Sequence, residues 1–172
     1  MVALALFLAG CGGGDSGPTS PSGHDNSDPS SPSAPSNPSP STAAIVQSII
    51  DLTNVERTRA GVPTLQMNAK LNTAAQLQAD QVAQLQVLEH NVPGASYPTP
   101  ADRLAAAGYS YASWGENLAS GYATAADAVA GWMNSVGHRE NILNTAFTEI
   151  GAGYATASNG TKYYVQVFGT PR

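Results

Sequence analysis

In this chain of 172 residues, His90, Glu116 and His138 are the side chains best suited to chemistry. Beyond the amino-terminal third, His90 and His138 are the only imidazoles, and each falls at a helix edge or in a loop rather than inside an apolar stripe. Between them lies Trp114-Gly115-Glu116-Asn117-Leu118-Ala119-Ser120-Gly121, a glycine-flanked acid in a segment with little helical pattern. Two imidazoles and one carboxylate suit a divalent ion such as zinc, with a coordination position open for water, which would permit metal-assisted hydrolysis. Without metal, Glu116 can instead accept a ring N–H and hold one histidine in a single tautomer. The plainer alternative is scaffolding, with two hydrogen-bonded histidines around a pocket and Glu116 bracing loops. The sequence has no His-Glu-x-x-His helix, no Gly-x-Ser-x-Gly elbow and no phosphate-binding glycine loop leading into a helix.

The elements that position these residues lie in 43–172, which holds both tryptophans, all seven tyrosines and enough length for one core. The spacing of Ile45, Ile49, Leu52 and Val55 predicts a helix over 43–59, with Ser41 and Thr42 as cap oxygens and Gly61 and Pro63 beyond its end. A second helix is expected from about Asn68 to Val87, on the stripe Leu71, Ala74, Ala75, Val82 and Leu85. Thr99-Pro100-Ala101-Asp102 starts a short helix through Arg103–Ala107 that Gly108 stops, and Thr124-Ala125-Ala126-Asp127 starts another through Trp132 and Met133. Trp132 and Met133 read as core. Asn141 reads as a backbone-bonding residue in a turn after His138, and Glu149 as a local partner for Arg139. Tyr97, Tyr109, Tyr111 and Tyr122 cluster in mid-domain loops, where they either line a groove suited to glycans or lipids or are ordinary loop-edge tyrosines. At the carboxyl end, Glu149–Thr156 and Lys162–Phe168 alternate as strands around Asn159-Gly160, a strong hairpin signal. Helices followed by an antiparallel hairpin imply an α+β domain.

The first forty residues have a different character. Residues 1–11 read as an export signal, too short to span a bilayer. Their Leu8-Ala9-Gly10-Cys11 end resembles the lipobox of bacterial lipoproteins, in which the cysteine is lipidated. Residues 12–42 are mostly Gly, Ser and Pro with no large apolar side chain, the composition of a disordered tether. Together these segments predict an extracytoplasmic protein, lipid-anchored through Cys11 to a bacterial membrane and displayed in the periplasm or at the cell surface. The balance of 7 basic and 12 acidic residues, net −5, argues against nucleic-acid binding. A single cysteine excludes an internal disulfide and any zinc site built from several thiolates.

His90-Asn91 near a helix end, Gly115-Glu116-Asn117-Leu118-Ala119-Ser120-Gly121, Trp132 to Leu143, Phe147 to Tyr154 and Tyr163 to Gly169 follow one another in a familiar order. With Asn54 to Gly61 and Pro63-Thr64-Leu65 they resemble the CAP superfamily of cysteine-rich secretory, antigen 5 and pathogenesis-related proteins, in its bacterial SCP-like form, over about residues 45–170. The resemblance implies a three-layer α-β-α sandwich with a small antiparallel sheet and a cleft of histidines and acids. Carried over from the resemblance, the cleft residues are His90, Glu116, Asn117, Ser135 and His138, with His90, His138 and Glu116 as the metal-ligand set. Ser135 stands where many eukaryotic relatives have a second glutamate, so one ligand-like group is missing here. Three functions follow as expectations: a monomeric binding module for an ion, lipid, envelope polymer such as a glycan, or protein; a metal-dependent, peptidase-like hydrolase in the same cleft; or a structural envelope protein with an inactive cleft.

Overall fold

The chain orders its elements around a four-stranded sheet, described over residues 41–172 in a computed structural model. The signal segment, Cys11 and nearly all of the tether lie outside the described residues. Helix α1 spans Thr42–Arg59, its first turn capped by the Ser41 hydroxyl, which accepts from the Ala44 amide. Thr42, expected as the tether's last residue, is therefore the helix's first. Strand β1 (Gln66–Met67) leads into α2 (Ala69–Leu85), which stops at Gln86 in a left-handed conformation, φ 54°. Helix α3 (Pro100–Ala106) opens on a reciprocal Thr99/Asp102 capping box with proline in its first turn, as its sequence predicts. The same box, Thr124/Asp127, opens α4 (Ala125–Asn134), and α5 (Val136–Leu143) follows at once.

Strands β2 (Tyr111–Ser120), β3 (Glu149–Thr156) and β4 (Lys162–Pro171) complete the sheet in the order β1-β3-β4-β2. The β3–β4 hairpin and the β4–β2 pair are antiparallel, while the short β1 lies parallel to β3. Strand β2 is the element that the sequence pattern hides. Helices cover both its faces, so Gly115 to Ala119 are all buried and no polar–apolar alternation marks them.

Successive strand residues point to opposite faces, and this alternation assigns the layers. On one face Leu118, Val165 and Val167 pack with Leu71, Ala74, Ala75 and Ala79 of α2 and Leu104 of α3. On the other, Ile150, Ala152, Tyr164 and Phe168 pack with Ile49 and Ile50 of α1, Trp132 of α4 and Ile142 of α5. The result is an α-β-α sandwich. Helix α2 approaches so closely that a Cβ on Gly151 would lie 2.1 Å from the Leu71 carbonyl carbon, and one on Gly153 would lie 2.3 Å from the Ala75 oxygen. Glycine at both positions is a packing requirement.

Candidate functional site

Edge strand β2 carries two adjacent polar residues that alternation sends to opposite sides of the sheet. Glu116, opposite Val167, faces α2 and α3; Asn117, opposite Gln166, faces α1, α4 and α5. Each is the centre of a buried hydrogen-bond network, and each network holds one of the two histidines.

On the Glu116 side, the Arg103 guanidinium of α3 donates from Nη2 to both carboxylate oxygens, at 3.1 and 3.0 Å. His90, in the loop after α2, sets its Nδ1 2.9 Å from Glu116 Oε1. Arg103 also donates to the carbonyls of His90, at 3.0 Å, and Tyr97, at 3.2 Å, so it fixes the loop that carries the imidazole. The side chains of Arg103 and Glu116 are 1% and 2% exposed, while that of His90 is 41% exposed. A buried ion pair thus backs an imidazole that reaches solvent. Arg103 Nε is the one buried side-chain polar atom without a partner among the described residues.

On the Asn117 side, the fully buried amide donates to Gln166 Oε1 at 2.9 Å and to the His138 carbonyl at 3.1 Å, and it accepts from Asn141 Nδ2 at 2.9 Å. Gln166 passes the chain on to Thr53 Oγ1 of α1 at 2.6 Å, and Thr53 donates to the Ile49 carbonyl. Helix α5 is held at its far end by Arg57 of α1, whose buried guanidinium donates to the carbonyls of Ile142, at 2.6 Å, and Asn144, at 2.9 Å. A cation at a helix carboxyl end complements the helix dipole. Burial nonetheless pulls the pKa of Arg57 below its usual value. His138 lies in the first turn of α5, not in a loop. Burial first, and the charge of the nearby His90 second, hold its imidazole below the ordinary histidine value.

The outer edge of β2 is blocked by the same helices. The Glu116 carbonyl accepts from Asn141 Nδ2 at 3.3 Å, and the Leu118 carbonyl accepts from the Trp132 indole at 3.0 Å. Side chains of α4 and α5 therefore occupy positions that a pairing strand would need. Gly115 leaves room for this closure, since a Cβ there would lie 3.0 Å from the Phe147 ring and 3.1 Å from Asn141 Oδ1.

Of the residues singled out in the sequence, the structure brings His90 and Glu116 into direct contact and sets Asn117 against the His138 backbone. Ser135 sits at the α4–α5 junction, and its side chain makes no cap bond. Glu149 does not pair with Arg139; it accepts from the buried Tyr109 hydroxyl at 2.6 Å, which, after burial, helps to push that phenol's pKa upward. The four tyrosines do not line one groove. Tyr109 packs on the α2–α3 side, whereas Tyr122 lies over Gly131 of α4 on the other. Asn141 is helical and bonds to both a backbone carbonyl and a side chain, and Trp132 is core.

Arg103, Gln166 and Thr53 were missed as site residues. For Arg103 a signal was present: Pro100, Arg103 and Leu104 are spaced 0, 3 and 4 along α3 and form its buried stripe, so Arg103 faces inward. Among the described residues, no three His, Cys, Asp or Glu side chains are grouped to hold a metal ion. The chemistry agrees with that arrangement, because both Glu116 oxygens are already taken by a cation, Arg103. As arranged, the three residues do not fit a zinc ion ligated by all of them.

The family model for CAP, the cysteine-rich secretory protein family, matches residues 50–168. The chain belongs to this family. Its CAP domain is 37% identical over 119 residues to the uncharacterised protein YkwD of Bacillus subtilis, covering 69% of this chain and 46% of that protein. Among solved structures it is similar to an extracellular SCP-domain protein of Bacillus anthracis, with TM-score 0.67 and 31% identity, covering 74% of this chain and 41% of the other. It also shares its fold with an outer surface protein of Borrelia burgdorferi, with TM-score 0.66 and 23% identity over 73% of this chain and 92% of that one. The chain spans less than half the length of the curated relatives that it matches.

Proposed function

We propose that this CAP domain is a binding module that works outside the cytoplasm and holds a ligand in a cleft beside the half-exposed His90, which Glu116 braces, with His138 close by. The observation that carries this reading is the engagement of both Glu116 oxygens. Its oxygens accept from Arg103 and face His90 Nδ1, an arrangement that suits orienting an imidazole better than acting as base, nucleophile or metal ligand. The hydrolase reading needs that carboxylate available, and the buried ion pair weighs against it. Placement outside the cytoplasm is supported by the relatives described as extracellular and outer surface proteins. Anchoring through a lipid on Cys11 is part of the same proposal and rests on the lipobox resemblance.

The test is binding of the full chain to three defined probes: purified peptidoglycan, phospholipid vesicles containing a free fatty acid, and zinc ion. The His90→Ala/His138→Ala variant serves as the control. The proposal expects at least one probe to bind the wild type and to lose at least tenfold in affinity in the folded double variant. Equal affinity of both proteins for every probe would overturn it, as would turnover of a peptide or ester substrate that Glu116→Gln abolishes.

A further inference from the structure

Arg103 carries only donors, and in this fold it meets only acceptors: both oxygens of Glu116 and the carbonyls of Tyr97 and His90. Paired in this way and almost fully buried, Glu116 is an ionised, acceptor-only group. The ring nitrogen that touches it, His90 Nδ1, must then be the one that bears the proton. A neutral imidazole that donates from Nδ1 has its lone pair on Nε2, and the side chain as a whole is 41% exposed.

We infer that Arg103 is a positioning residue that sets the polarity of the cleft. Through Glu116 it makes His90 Nε2 a hydrogen-bond acceptor, so the site takes ligands that present a hydroxyl or N–H donor. The ligand class rests on the cleft being the binding site; the role of Arg103 does not. The same reasoning gives a sharp consequence for the amide variant. In Glu116→Gln, donor-only Arg103 claims the amide oxygen, which turns the NH2 group toward His90. An amide NH2 facing Nδ1 needs a lone pair there, so the imidazole proton moves to Nε2 and that acceptor becomes a donor.

The experiment is long-range proton–nitrogen NMR on the 15N-labelled full chain at about pH 8, above the ordinary imidazole range. The wild type is expected to show His90 with a protonated Nδ1 and a bare Nε2. Arg103→Lys is expected to keep that pattern, and Glu116→Gln to invert it. Adding Arg103→Met to Glu116→Gln removes the donor that orients the amide and is expected to undo the inversion. A wild-type His90 protonated at Nε2, or a Glu116→Gln protein that keeps the Nδ1 proton, would overturn the inference. Both readings come from shape-conserving proteins, so they stand even if the double variant does not fold. Failure of every ligand probe with the tautomers as expected would defeat the binding reading and leave the role of Arg103 intact.

Discussion

Replacing Asn117 with leucine tests whether the buried amide chain, and not apolar packing alone, holds α5 and His138 against the sheet. Leucine shares asparagine's branching at Cγ, is somewhat bulkier and introduces no charge. It removes three hydrogen bonds, to Gln166 Oε1, the His138 carbonyl and Asn141 Nδ2. Gln166 is fully buried, so its oxygen has no water to turn to and carries the whole penalty, about 2–3 kcal/mol. His138 and Asn141 are only partly buried, so water recovers much of their loss and each adds about 0.5–1 kcal/mol. Leucine's gain in apolar burial offsets some of this, which leaves a net destabilisation of about 3 kcal/mol in a domain whose whole stability is on the order of 5–15 kcal/mol. Urea unfolding should show the midpoint falling with an unchanged slope. Amide exchange at the hydrogen-bonded amides of α5, from Arg139 onward, should also accelerate more than in α2, which the network does not touch. A loss below about 1 kcal/mol, or uniform acceleration across both helices, would refute the idea that this network positions His138.

The pH dependence of stability should carry the signature of His138. Its folded-state value is depressed, so the unfolded chain binds the proton more readily; its contribution is complete above about pH 6.5 and is lost as pH falls through the folded value. His138→Gln should flatten that part of the curve, and an unchanged slope would place the effect elsewhere. Gly151→Ala should destabilise by about 3 kcal/mol, because the new methyl group would meet α2 backbone, which cannot rotate away. A variant within about 0.5 kcal/mol of the wild type in thermal unfolding would show that α2 shifts freely.

The sequence by itself determined the elements that advertise their own ends. Capping boxes at Thr99 and Thr124, the stripe of α2 and the Asn159-Gly160 hairpin are local chemistry, so neighbouring residues specify them without help from the rest of the chain. It also marked His90, Glu116 and His138 as chemically able groups. It could not show β2, because a strand covered on both faces loses its alternation, nor α5, whose only fully buried residue is Ile142. Tertiary structure alone decided what Glu116 does. Arg103 lies thirteen residues before it in the chain, and only the packing of α3 on the sheet brings guanidinium and carboxylate to 3.0 Å. A charge pair of that kind is set by three-dimensional neighbours in a buried, water-poor site, and spacing along the chain carries no record of which neighbours those will be.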